Sequence, residues 1–192
     1  FNVFKKHFKE TPREIVPMKG DGSHRRLWRL RAGNTSAIGA ANSDKHENTA
    51  FIQFSKHFRK SGVNVPEIYI TDEENGIYIE EDLGDMTLFK FLSENRTKNG
   101  FTKEICEAYK QVIAALPKIQ ITAGKTLNYK NCYPRASFDR QSMKWDMNHF
   151  KYYFLQLGNI PFHEQTLEDD FEKFTDFLLE ADKDYFLYRD FQ

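Results

Sequence analysis

Short runs of hydrophobic residues, several of them alternating with polar ones, fill the first part of the chain. Three such runs precede residue 42 and two more lie between residues 66 and 80, separated by turn-forming residues. Runs of this length, bounded by glycine and asparagine, are typical of antiparallel strands. We therefore predict five strands, at residues 15–18, 26–30, 36–40, 66–70 and 76–80.

One helix is predicted between the third and fourth strands, within residues 45–61. Phe51, Phe54 and Phe58 recur at spacings of three and four, which puts their rings on one helical face. Gly62 follows, where glycine commonly ends a helix. Five strands with one helix after the third make an α+β unit.

The pattern changes near Gly84, and from Met86 onward apolar residues recur at the helical period. Residues 122–140 lack this period and predict a loop with short turns. We therefore predict a β-rich domain at residues 1–84 and a helical domain at 85–192.

Composition and charge exclude several classes of protein. Lys and Arg number 28 and Asp and Glu also number 28, so no basic field is present to hold nucleic acid or an anionic membrane. The apolar run at residues 112–116 is too short to cross a bilayer. Cys106 and Cys132 indicate free thiols of a reducing compartment, so we expect a cytoplasmic protein.

Metal-dependent and acyl-transfer templates are missing from the sequence. The six histidines do not occur at the spacing of metal ligands, and neither a Cys-x-x-Cys nor a Gly-x-Ser-x-Gly motif is present. Zinc chemistry and a serine nucleophile elbow therefore have no support.

A glycine-rich segment between the first two strands is the first candidate ligand site. Its glycines, Gly20 and Gly22, would let the backbone approach a ligand, and backbone N–H groups, helped by Ser23 and Arg25, could hold phosphate oxygens. An ordinary hairpin tip has the same composition, and both interpretations stay open at this point.

Two acidic features lie further along the chain. Glu80, Glu81 and Asp82 lie where the strands give way to helices, and Asp190 follows an apolar run. Each alone could be a solvated carboxylate. Their order, after the hairpin glycines and on either side of the helices, is what a kinase-like bilobal fold requires.

Five stretches in this order resemble one family, at residues 22–30, 63–69, 77–85, 138–140 followed by 147–150, and 188–192. The chain resembles the aminoglycoside phosphotransferase family of kinase-like enzymes. Within it, the similarity is greatest to the branch that includes the bacterial N-acetylmuramate/N-acetylglucosamine anomeric sugar kinases.

The resemblance implies Mg²⁺- and ATP-dependent phosphorylation of a small-molecule hydroxyl, on a sugar or amino sugar. Asp190 would be the catalytic base. The ATP phosphates would be covered by Gly20, Gly22, Ser23 and Arg25, and the adenine would be bound at the hinge formed by Glu80, Glu81 and Asp82.

The sequence departs from the family pattern in two respects. The third strand lacks the usual lysine, so the positive charge that contacts the phosphates would come from Arg25, Arg29 or Lys45. Glu47, at the start of the helix, then lacks its usual lysine partner. The metal-binding asparagine would lie at about position 195, so we expect no metal ligand within this chain and an incomplete helical domain. A non-catalytic nucleotide-binding regulatory module, a pseudokinase, is the alternative.

Overall fold

A computed structural model describes residues 1–19, 24–98 and 100–191. The chain divides into two compact units, Phe1–Leu127 and a second that begins at Asn128. The predicted boundary at residue 84 follows the change from strands to helices and stays a prediction.

The first unit is built on a five-stranded antiparallel sheet. Its elements are α1 (Asn2–Phe8), β1 (Glu14–Met18), β2 (Arg26–Ala32), β3 (Thr35–Ala41), α2 (Lys45–Lys60), β4 (Ile68–Asp72), β5 (Ile77–Glu81), α3 (Leu88–Asn95) and α4 (Lys103–Pro117). The strand order is β1-β2-β3-β5-β4. The predicted α+β class, the five strands and the helix after the third strand are confirmed.

The two faces of the sheet carry separate hydrophobic clusters. One face packs on α1 through Phe4, and this cluster includes Leu30 and Ile79. The other face packs on α2 and includes Ile52 and Tyr78. Because side chains alternate along a strand, Tyr78 and Ile79 belong to opposite faces, and Glu80 shares the α2 face with Tyr78.

Helix α1 is an element that the sequence pattern did not predict. It has seven residues, about two turns, which is too short to show a helical period. Phe4 is fully buried, and its ring lies 4.6 Å from that of Phe8. Tertiary burial of this aromatic pair therefore stabilises a helix that would be marginal in isolation.

The second unit is helical in its described part. It contains α5 (Arg140–Phe150) and α6 (Glu164–Leu179), and α5 continues directly into a wider turn at Lys151–Gln156. Lys151 is buried and bonds to Glu164 and Glu168 on α6, which together raise its pKa above the ordinary value. These ion pairs join the two helices.

No helix within the described ranges is both long enough and apolar enough to span a bilayer.

Candidate functional site

An ion pair joins the residue directly before β2 to the first turn of α2. Arg25 Nη2 donates to Glu47 Oε1 at 2.8 Å, and the two side chains are 14% and 34% exposed. Partial burial lowers the local dielectric, so the pair is stronger than one on an open surface.

The guanidinium of Arg25 also lies over aromatic rings of the α2 face. Its carbon is 4.6 Å from the centre of the Phe51 ring and 5.9 Å from that of Tyr78. These two rings are themselves stacked at 5.2 Å. Cation–π contacts of this kind use the flat face of the guanidinium and hold it in place. Its N–H donors lie in the guanidinium plane and can still form hydrogen bonds.

Glu47 is positioned by the residues that begin α2. The Asp44 side chain caps the helix by accepting from the backbone N–H of Glu47 at 3.0 Å. Asn42 Nδ2 donates to Glu47 Oε2 at 2.8 Å. Both carboxylate oxygens of Glu47 are therefore hydrogen-bonded, which fixes its orientation.

The turn between β4 and β5 is hydrogen-bonded to Asn42, one of the residues that position Glu47. The Asn42 backbone N–H donates to the Gly76 carbonyl at 3.0 Å, and Asn48 Nδ2 donates to the same carbonyl at 3.0 Å. Gly76 has φ +64°, and a Cβ there would lie 2.2 Å from the Asn42 carbonyl oxygen. Only glycine permits this approach.

Glu80 lies on the same face as the Arg25–Glu47 pair. Its Oε2 is buried and has no hydrogen-bond partner among the described residues, as is also true of the hydroxyl of Tyr78. Burial raises the pKa of Glu80 to about 7, although the positive charge of Arg25 opposes the shift. Glu80 is therefore a carboxyl group that titrates near neutral pH.

Arg29 on β2 binds the segment that leaves the sheet. Its Nε and Nη2 donate to the two oxygens of Asp82 at 2.8 and 3.0 Å, and its Nη1 donates to Asp85 at 3.0 Å. Burial alone would raise the pKa of Asp82, but hydrogen bonds from Arg29, Ser36 and the Gly84 N–H outweigh it, and the pKa is lowered.

The three acidic residues predicted at the hinge thus have different surroundings. Glu80 lies within the sheet, opposite Ile38 of β3. Glu81 accepts from Arg59 at the end of α2, and only Asp82 lies beyond the last strand. The chain leaves the sheet after Glu81.

Of the predicted phosphate-binding and clamp residues, the structure brings Arg25 and Glu47 together. Lys45 is exposed at the start of α2, where it lines a cavity with Glu73 and Glu74 of the β4–β5 turn. Gly20, Gly22 and Ser23 lie outside the described residues, directly before the segment that carries Arg25.

Asp190 belongs to the second unit and is exposed. Its neighbour Arg189 donates to Asp146 on α5 at 2.6 Å and lies 5.1 Å from the Phe138 ring. The rings of Tyr188 and Phe191, which flank Arg189 and Asp190 in sequence, pack edge to face with their centres 5.3 Å apart. The residue before Asp190 is thereby attached to α5.

Several residues of the site were missed by the sequence interpretation. Asn42, Ser36 and Asp85 had no assigned role, yet each bonds to a charged group of the site. The only signal for Asn42 was its place just before the Asp44-x-x-Glu47 helix start, a pattern that indicates a cap and not a partner for Glu47.

No group of three or more His, Cys, Asp or Glu side chains suited to a metal ion occurs among the residues that the structure describes.

No family model matches the chain. The chain is 28% identical over 111 residues, 57% of its length, to an N-acetylmuramate/N-acetylglucosamine kinase of Pseudomonas aeruginosa. The match spans 31% of that relative's length, about a third. This similarity suggests a distant relationship to a sugar kinase.

Proposed function

We propose that this chain is part of an ATP-dependent kinase that phosphorylates a hydroxyl of a sugar or amino sugar, and that its two units belong to a kinase-like fold. The observation that carries the proposal is the Arg25–Glu47 ion pair between the antiparallel sheet and the helix after β3.

This pair supplies what the third strand lacks. In kinase-like enzymes a basic side chain, held by a helix carboxylate, contacts the α- and β-phosphates of the nucleotide. Strand β3 carries no lysine, and Arg25 reaches the helix carboxylate from the position directly before β2. A guanidinium suits this role because its planar donors match phosphate oxygens and its charge persists at every physiological pH.

The neighbouring sequence fits a phosphate site as well. Residues 20–23 carry two glycines and a serine and are separated from Arg25 by one residue, and backbone N–H groups of such a segment can bind phosphate oxygens. We assign Gly20, Gly22 and Ser23 to this cover.

The proposed reaction is an in-line phosphoryl transfer. The acceptor hydroxyl oxygen forms a bond to the γ-phosphorus, the bond from that phosphorus to the β,γ-bridging oxygen breaks, and ADP leaves. Asp190 orients the hydroxyl and accepts its proton. When bound, Mg²⁺ neutralises the phosphate charge; within this chain, Arg25 contributes positive charge and Glu47 orients it.

The substrate class rests on the distant relative, whose name states a kinase of N-acetylmuramate and N-acetylglucosamine. The test is a panel of amino sugars, neutral sugars and aminoglycosides, offered with Mg-ATP to the full-length protein, with ADP release as the readout. Sugar-dependent ADP release is expected. Nucleotide binding without turnover on any acceptor would instead support the regulatory module.

A further inference from the structure

Asp82 organises the segment of residues 82–85 directly after β5. Its Oδ1 accepts from the Gly84 N–H at 3.0 Å, and the Ser36 hydroxyl of β3 donates to its Oδ2. Gly84 has φ +82°, a left-handed conformation that glycine adopts without strain. The segment is thus bent around the Asp82 carboxylate and attached to β3.

Arg29 adds the attachment to β2 and does so from a buried position. The side chains of Arg29 and Asp82 are 11% and 8% exposed. Two charges this deeply buried stabilise the fold only while they remain paired, because either alone carries a large desolvation cost. The second acceptor, Asp85, is 69% exposed and lies at the far end of the segment.

These contacts argue against a phosphate ligand at Arg29. A phosphate that recruited the guanidinium would have to draw it from Asp82 and leave that carboxylate buried without its partner. Arg25 has no comparable constraint, since its partner Glu47 is one-third exposed and hydrogen-bonded to Asn42 as well.

We propose that Arg29 is a positioning residue, which holds segment 82–85 in the conformation that binds the nucleotide base, and that it does not contact the phosphates. The inference rests on the proposed kinase function. It assigns different tasks to two arginines of neighbouring sequence: Arg25 binds phosphate, and Arg29 shapes the base site through Asp82 and Asp85.

Adenosine separates these tasks because it carries the base and ribose but no phosphate. We would measure the affinities of ATP and adenosine for the full-length protein and for Arg29→Met. Loss of a positioned base site lowers the affinities for ATP and for adenosine by the same factor, about tenfold or more. Arg25→Met is the matched control, and it weakens ATP while adenosine binding is kept.

The Arg29→Met/Asp82→Asn variant removes one positive and one negative charge, so the net charge of the cluster is unchanged. Weakening of both ligands in this variant shows that geometry, and not charge, is responsible. We further expect the KM for ATP to rise by a larger factor than the factor by which kcat at saturating ATP falls. A general loss of structure would not produce this difference.

Milder variants keep the inference testable if Arg29→Met does not fold. Asp85→Asn, at an exposed position, weakens both ligands by a smaller common factor, and Arg29→Lys behaves similarly. Weakening of ATP alone in these variants, or no change in adenosine affinity, overturns the positioning role and leaves the kinase proposal standing. A full-length protein that binds neither ligand contradicts the kinase proposal, and this inference with it.

Discussion

Arg25 Nη2 lies 2.8 Å from Glu47 Oε1, a contact between residues separated by 22 positions in sequence. It places a positive charge on the α2 face of the sheet although β3 carries no lysine. The positive charge therefore reaches the helix from the residue before β2 and not from β3.

The first prediction concerns Glu47. Glu47→Gln keeps the shape of the side chain but removes the charge that holds Arg25, so the guanidinium is less well oriented toward phosphate. We expect the KM for ATP of the full-length protein to rise about tenfold, with a smaller effect on the sugar KM. Steady-state kinetics with each substrate varied in turn measures this.

Glu94→Gln, on the exposed surface of α3, is the control for the loss of one negative charge. A double-mutant cycle with Arg25→Met would give a coupling of about 0.5–3 kcal/mol for residues in direct contact. Additive effects of the two substitutions would refute the functional pairing.

The second prediction concerns the turn that supports α2. Gly76→Ala would put a Cβ at 2.2 Å from the Asn42 carbonyl oxygen, at a residue with φ +64°. Gly62→Ala is a matched control, because Gly62 has φ +78° with nothing within 4 Å of the added atom. Backbone strain should lower the free energy of unfolding of each variant by about 1 kcal/mol, and the clash should lower that of Gly76→Ala by about 2 kcal/mol more.

Thermal unfolding of the wild-type protein and both variants checks this order. Because Asn42 also holds Glu47, Gly76→Ala should raise the KM for ATP as well, whereas Gly62→Ala should not. Equal destabilisation by the two substitutions would show that the turn can relax without cost.

The strands and α2 could be predicted from the sequence because each repeats its pattern over enough residues. Tyr78 and Ile79 on opposite faces follow from simple alternation. The partner of Glu47 could not be predicted, since three basic residues were candidates and only the folded structure shows which of them reaches its carboxylate. Arg29 was likewise indistinguishable from Arg25 until its contacts with Asp82 and Asp85 were known.

The third prediction concerns the pH dependence of stability. Folded Glu80 keeps its proton up to about pH 7, compared with an ordinary pKa of 4.5. The folded state therefore binds more protons than the unfolded chain between these values, and the stability falls as the pH rises through this window. The full effect is at most about 3 kcal/mol.

Glu80→Gln removes this titration. Relative to wild type, the variant should gain stability as the pH is raised from 4.5 to 8, while Glu74→Gln in the exposed β4–β5 turn should not. Denaturant unfolding of both variants across this pH range measures the difference. A stability difference between Glu80→Gln and wild type that does not change with pH would mean that the pKa of Glu80 is the same in the folded and unfolded states.

The last prediction concerns Asp190, the proposed base. Asp190→Asn keeps the size and one oxygen acceptor but cannot take the proton of the attacking hydroxyl, so kcat should fall about 10²- to 10⁴-fold. Asp190 is proposed to contact the acceptor and not the nucleotide, so ATP affinity should be kept.

Asp170→Asn, on the exposed surface of α6, is the control. Because loss of the base acts on the chemical step, kcat should fall without a comparable rise in the KM for ATP, whereas distortion of the nucleotide site would raise that KM. Unchanged turnover in Asp190→Asn would exclude this residue as the base.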